Sequence, residues 1–382
     1  MTPENIQTAA GAAATTGARV RDEKTAREAS GARVRGRWLF SPSIDLAAFL
    51  GSALVSLALL WVGARAGVLD ADAPDWTWIP AVLLVDVAHV YATAFRVYLD
   101  TEELKRRLWL YALVPVIGYA VGAALYSEGE WLFWRVLAYL AVFHFVRQQY
   151  GWVALYRARA GERGRWGWWI DTTAVYAATV YPLLYWHAHL PRRFNWFLSG
   201  DFAALPALVE RVAEPLYWTA LGVYALRSVY LWLVSRRGNP GKDIVVATTA
   251  LCWYIGIVWF DSDYAFTVTN VVIHGVPYMV LVYWYARTRR EGAGRHYRLL
   301  ARGPVLFLMT LWLLAYTEEL LWDRGLWHER GWLFGAGWEG LDWLKTFFVP
   351  LLALPQVTHY VLDGFIWRRA GNPGLSPFEP RD

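Results

Sequence analysis

What is scarce in this sequence narrows it first. There is one cysteine, Cys252, in an apolar stretch, so these 382 residues form no internal disulfide and no cysteine-based metal site. Cys252 itself reads as a small buried apolar side chain. Charge is also scarce: charged residues are 18% and apolar ones 57%, where a soluble domain averages about 25% and about 45–50%. There is no Gly-x-Ser-x-Gly elbow, Walker loop or Rossmann fingerprint, which removes the common serine-hydrolase and nucleotide-binding classes. The His-x-x-His-His clusters of membrane desaturases and hydroxylases are missing as well. Residues 1–37 lack a short apolar core with a small-residue cleavage site, so they do not read as a signal peptide. With seven Lys or Arg between Arg19 and Arg37, they read as a disordered basic tail.

What is abundant is apolar and aromatic. Apolar runs of the length needed to cross a bilayer, about 20 residues, recur along the chain, as in LAAFLGSALVSLALLWVGA (46–64). The 25 Trp and 22 Tyr suit belts at the two membrane interfaces. These features predict an all-α, polytopic transmembrane bundle of about ten spans, near 42–66, 76–98, 108–126, 131–156, 167–188, 216–235, 243–260, 264–287, 303–322 and 343–368. The connecting segments alternate between basic (LDTEELKRRLW, YRARAGERGRW, VSRRGNPGK, ARTRREGAGRHYRLLARG) and acidic or near-neutral (GVLDADAPDW, SEGE, FDSDY). By the positive-inside rule the basic set is cytoplasmic, which places both termini inside and fits an even number of spans. The expected organisation is a basic cytoplasmic tail (1–37), a transmembrane domain (38–369) and a cytoplasmic C-terminal tail (370–382), in a bacterial-type inner membrane. Topology thereby explains the pI near 9.2, and no nucleic-acid partner is expected. Segment 190–215 is the longest outer loop and a candidate for an interfacial helix. The repeat RRGNPG at 236–241 and RRAGNPG at 368–374 reads as a helix-exit turn, not a phosphate loop.

Ionisable and strongly polar groups inside spans are costly, so each is a site candidate. The second span has Asp86 and His89 (DVAHVYAT), and the fourth has His144, Arg147, Gln148 and Gln149 (FHFVRQQYG). The eighth has Asn270 and His274 (TNVVIHGVPY), and the last has His359 and Asp363 (THYVLDGFIW). Each histidine has a carboxylate or amide three or four residues away, hence on its own helical face. The histidines stand 7, 13, 13 and 9 residues before the first arginine at the cytoplasmic end of each span: Arg96, Arg157, Arg287 and Arg368. At about 1.5 Å per residue the spread in depth is roughly 9 Å, small enough for all four to meet between helices.

Four neutral imidazoles in a dry site suit iron, copper or zinc. His89, His144, His274 and His359 are therefore candidate ligands. Asp86, Gln148, Asn270 and Asp363 are candidates to orient them, with Asp86 and Asp363 also able to ligate. Arg147 is expected to line a cavity, where it binds an anionic head group or pairs with Asp86 or Asp363. Among other candidates, His187 and His189 read as interfacial and solvated, Glu318 and Glu319 as solvated near the outer surface, and Asp171 as the partner of a loop arginine. His296 and His328 have no supporting cluster.

The stretches FHFVRQQYG, VVIHGVPY and THYVLDGFIW resemble the Brp/Blh family of membrane β-carotene dioxygenases, which place single histidines of separate helices around a non-haem iron. The likeness covers scattered short pieces, and the family's Pro-His-Gly motif has no counterpart, His89 lying in VAHVY. The resemblance implies a membrane non-haem iron oxygenase acting on an apolar lipid, isoprenoid or carotenoid, with membrane lipids and an electron donor as further partners. Two other classes stay open: a haem-b electron carrier using two of the histidines as axial ligands, and a proton-coupled transporter using the His/Asp pairs.

Overall fold

The computed structural model describes residues 37–70, 74–289, 294–340 and 342–368. The greater part of both expected tails, including the second Gly-Asn-Pro-Gly copy, lies outside them. Among the described residues the architecture is all-helical, with no strand. The long helices are α1 (Pro42–Ala66), α2 (Asp75–Arg96), α3 (Leu108–Glu128), α4 (Glu130–Arg159), α5 (Arg165–Ala188), α6 (Ala207–Leu233), α7 (Pro240–Trp259), α8 (Asp263–Arg289) and α9 (Pro304–Trp327). The last long segment is split by a step at Ala353 into α10 (Lys345–Leu352) and α11 (Leu354–Ile366). Six of them, α1, α2, α3, α7, α8 and α9, combine the length and the apolar composition needed to cross a membrane.

Local sequence sets the helix starts. Ser41 accepts from the Ile44 N–H with Pro42 in the first turn, and Asn239 caps α7 in the same way ahead of Pro240. Ser262 opens α8 by accepting from the Ala265 N–H. The RRGNPG turn therefore begins a helix as much as it ends one. Gly241 is required there by packing, because a Cβ would fall 1.9 Å from the Tyr156 ring. One expectation is corrected: α6 begins at Ala207, not near 216, so the first part of the helix lies in the expected outer loop. The added turns carry Glu210, Arg211 and Glu214, whose polarity hid them from a search for apolar runs.

Burial is arranged inside out. The apolar side chains of α3 are largely exposed, as at Leu113, Val116, Ile117 and Val121, and only Tyr111, Gly122 and Tyr126 of that helix are buried. A face of this kind suits lipid. Helix α8 is the opposite, buried along most of its length among α1, α2, α4 and α7. Gly275 lets α8 approach α2 closely, since a Cβ there would meet Val85 Cγ1 at 2.7 Å and the Val85 carbonyl at 3.1 Å. Both helices also contain wide π turns, Ile79–Val87 in α2 and Thr267–Val271 in α8, each just ahead of a histidine.

Candidate metal centre

His89 of α2, His144 of α4, His274 of α8 and His359 of α11 come together in the core, and all four are buried. Their rings form a closed square. Consecutive centroids are 4.6 Å (His89–His274), 5.1 Å (His274–His144), 4.5 Å (His144–His359) and 5.0 Å (His359–His89) apart, and the His89–His144 diagonal is 6.5 Å. The Nε2 atoms face inward: those of His274 and His89 are 3.1 Å apart, and so are those of His359 and His144. Ligand atoms of His89, His144 and His274 all lie within 4.8 Å of one another.

These spacings can be compared with what an ion requires. Metal–nitrogen bonds of about 2.0–2.1 Å hold neighbouring ligand nitrogens about 3.0 Å apart at right angles and about 3.4 Å apart at the tetrahedral angle. The 3.1 Å pairs fall between these limits. Without an ion, the same contacts are two N–H···N hydrogen bonds between neutral rings.

The outward Nδ1 atoms meet different partners. His89 Nδ1 is 3.7 Å from Asp86 Oδ1 on its own helix, and His144 Nδ1 is 3.7 Å from Asp363 Oδ2 on α11. His359 Nδ1 is 2.7 Å from Thr93 Oγ1, which is itself 3.1 Å from the Tyr278 hydroxyl. With its proton on Nδ1, His359 donates outward to Thr93 and directs the Nε2 lone pair inward. His274 Nδ1 makes no hydrogen bond among the described residues, and its ring stacks on Phe145 with centroids 3.5 Å apart. Two carboxylates near two rings suit the charge of a divalent ion, since a buried dication needs compensating anions.

Two same-helix pairings, those of Asp363 and Asn270, differ from expectation, and Gln148 has a second partner. Asp363 lies against His144, not His359. Gln148 donates to the backbone carbonyl of His274 at 2.9 Å, tying α4 to α8, and it also meets His144, its expected partner one turn away. Asn270 donates to the Phe266 carbonyl and to Thr269 Oγ1, and it packs where Gly256 of α7 leaves room. Asn270 is thus a helix-packing group. The physical reason is common to both. A spacing of four residues fixes a face, but helix crossing decides which neighbour that face meets.

Arg147 is exposed, pairs with neither Asp86 nor Asp363, is hydrogen-bonded to the Tyr176 hydroxyl and lies 4.9 Å over the Tyr150 ring. Glu318 is not solvated: it is buried, accepting from Trp322 Nε1 at 3.2 Å and from Gln356 Nε2 at 3.3 Å. His187 is buried too, and His187 and His189 bond their Nδ1 atoms to the carbonyls of Leu183 and Tyr185, so each is held by its own helix. Asp171 has Arg157, Arg227 and Lys242 as partners. Thr93 and Tyr278 are the site residues that the sequence reading missed. Each stands four residues after a histidine, His89 and His274, so the same periodicity marks them. No protein-family model, curated protein or solved structure matches this chain.

Proposed function

We propose that this protein is a membrane-embedded non-haem iron oxygenase acting on an apolar lipid-like substrate, with His89, His144, His274 and His359 as the ligands. The observation that carries the reading is the meeting of four histidines from four separate helices, with two Nε2–Nε2 contacts of 3.1 Å and ligand atoms of His89, His144 and His274 within 4.8 Å of one another. An all-nitrogen donor set without thiolate suits iron, copper or zinc. Iron bound there supplies the redox chemistry that activates O₂ toward a C–H or C=C bond. Asp86 and Asp363 balance charge at His89 and His144, while Thr93 and Tyr278 hold the His359 ring. Phe145 and the surrounding helices exclude water. A dioxygenase reaction places both oxygen atoms in product and needs no outside reductant, whereas a monooxygenase reaction requires an electron donor as partner.

The likeness to Brp/Blh proteins agrees with this reading in architecture. The 3.1 Å ring-to-ring contacts count against a haem, because a porphyrin between two axial histidines would have to displace the other two. The same proposal includes ten spans, with both termini cytoplasmic in a bacterial-type inner membrane, supported by loop charge alternation.

Elemental analysis of protein purified without added metal tests the centre. The expected result is iron near one equivalent and no Soret band. Protein that holds no transition metal, even after loading with Fe(II), would reduce the square to a pair of hydrogen bonds and end the reading.

A further inference from the structure

Beside the histidine square, α4, α8 and α11 line a half-open cavity of about 470 Å³. Its lining changes in character along the helices. At one end stand His144 and Asp363, and at the other Leu155 and Trp367. From residue 144 to 155 the cavity follows α4 for roughly 16 Å. Between and around these ends are Tyr150, Trp152, Leu281 and Tyr360, a mainly apolar and aromatic wall of the kind that takes a hydrocarbon chain. Two arginines also line it, Arg147 from α4 and Arg368 just past α11.

Some arginines of this protein are ion-paired and others are not, and Arg147 and Arg368, both exposed, are of the second kind. Arg96 pairs with Glu103, Arg157 with Asp171, Arg192 with Asp261, Arg227 with Asp171 and Arg289 with Asp100. Arg147 and Arg368 form no ion pair with a carboxylate among the described residues. Arg147 is positioned by the Tyr176 hydroxyl and the Tyr150 ring, and Arg368 lies 4.9 Å over the Phe365 ring. An exposed guanidinium without a carboxylate partner is free to take an anion, and its fork fits a carboxylate or a phosphate.

We propose that this cavity binds an amphiphile with an anionic head group, carboxylate or phosphate, on an apolar chain, with the exposed arginines of its lining, Arg147 and Arg368, attracting the head and the aromatic wall taking the chain. As an assignment of substrate class it rests on the proposed iron centre; as a binding site it does not. A fully apolar carotenoid offers these arginines nothing to bind.

The test uses the full chain in nanodiscs of zwitterionic phosphatidylcholine. A fluorescent polyene fatty acid is the reporter, read by energy transfer from tryptophan. Dodecanoate, dodecyl phosphate, dodecanol and inorganic phosphate compete with it. Dodecanoate and dodecyl phosphate should displace it at concentrations at least about tenfold lower than dodecanol, and inorganic phosphate should not displace it. Arg147→Ala and Arg368→Ala should each weaken binding of the two anionic amphiphiles about tenfold or more, leaving dodecanol unchanged. Arg147→Lys keeps the charge without the fork and should recover part of the loss.

Equal competition by dodecanol, displacement by inorganic phosphate at similar concentration, or wild-type binding in both alanine variants would overturn the assignment. Metal content is measured on the same preparations. Amphiphile binding by metal-free protein would sustain this site while the iron reading falls, and metal without head-group selectivity would do the reverse.

Discussion

Two buried polar clusters in this protein invite comparison. One lies where the ends of α4, α5, α6 and α7 meet. Asp171 bonds Arg227 at 2.8 Å, Lys242 at 3.0 Å and Arg157, while Glu162 bonds Lys242 at 2.6 Å and accepts from Asn239 at 2.8 Å. Opposite charges meet there in hydrogen-bonding geometry, so the cluster is complete in itself. The other is the histidine square, four rings of one kind whose inward atoms can only share protons or an ion. Its outward atoms are unevenly served: Thr93 bonds His359, two carboxylates stand at 3.7 Å, and His274 Nδ1 has no hydrogen-bond partner among the described residues. The first arrangement holds helix ends together, and the second has the composition of a ligand set. Burial alone does not separate them; what separates them is whether the groups satisfy one another.

Exchanging the roles of the two clusters should give the largest effects. His144→Ala removes one inward nitrogen and the contact to Asp363 together. Iron content of the purified variant is expected to fall to near background, with the helical content unchanged by circular dichroism. Asp171→Asn removes a charge from among three cations, and breaking a buried ion cluster on one side costs about 3–5 kcal/mol. Its thermal unfolding temperature should drop sharply while the iron per folded molecule stays at the wild-type level. If His144→Ala destabilises without loss of metal, or Asp171→Asn loses metal without loss of stability, the distinction between the clusters is wrong.

Much of this contrast was legible in the sequence, for identifiable reasons. Helix positions follow from apolar runs and from Pro and Gly punctuation, as at Asn239–Pro240. The histidines are legible because each is an isolated polar group on an apolar helix, at similar depth. The partners across helices were not. Asp363 shares a face with His359 yet meets His144, since rotation about the helix axis and the crossing of α4 and α11 are tertiary properties. Glu318 was misread because a carboxylate near an apparent helix end looks solvated. The π turn Asp323–Trp327 carries α9 further than expected, and Gln356 of α11 covers the carboxylate.

A finer test lies inside the square. Asp363→Asn keeps an acceptor oxygen near His144 but removes the charge. Substitution of a group supporting a ligand typically costs about 10–100-fold in metal affinity. The expected result is a weakened iron affinity within that range, with residual iron at saturating concentration. Asp86→Asn should act similarly, because Asp86 stands as close to His89 Nδ1 as Asp363 does to His144 Nδ1, 3.7 Å in each case. Affinity unchanged in both variants would show that the carboxylates do not support the ring nitrogens.

The smallest effect expected is a pH dependence confined to the ion cluster. Glu162 lies in the turn between α4 and α5. Burial works to raise its pKa, but Lys242, Asn239 and Arg157 outweigh burial and hold it below its ordinary 4.5. A carboxyl whose folded pKa is depressed contributes stability that is fully present above the unfolded value and is lost as pH falls through the folded one. The contribution is therefore intact at neutral pH and disappears below about pH 4.5. Acid also protonates histidines, so wild type alone would mix the two clusters. The difference in unfolding temperature between wild type and Glu162→Gln isolates the carboxyl, since both carry the same square. That difference should be of the order of 2 °C at pH 7 and should close as pH falls below 4.5. A difference that persists unchanged into acid would mean that Glu162 acts through packing and not through its charge, and the ion cluster would then owe its stability to Asp171 alone.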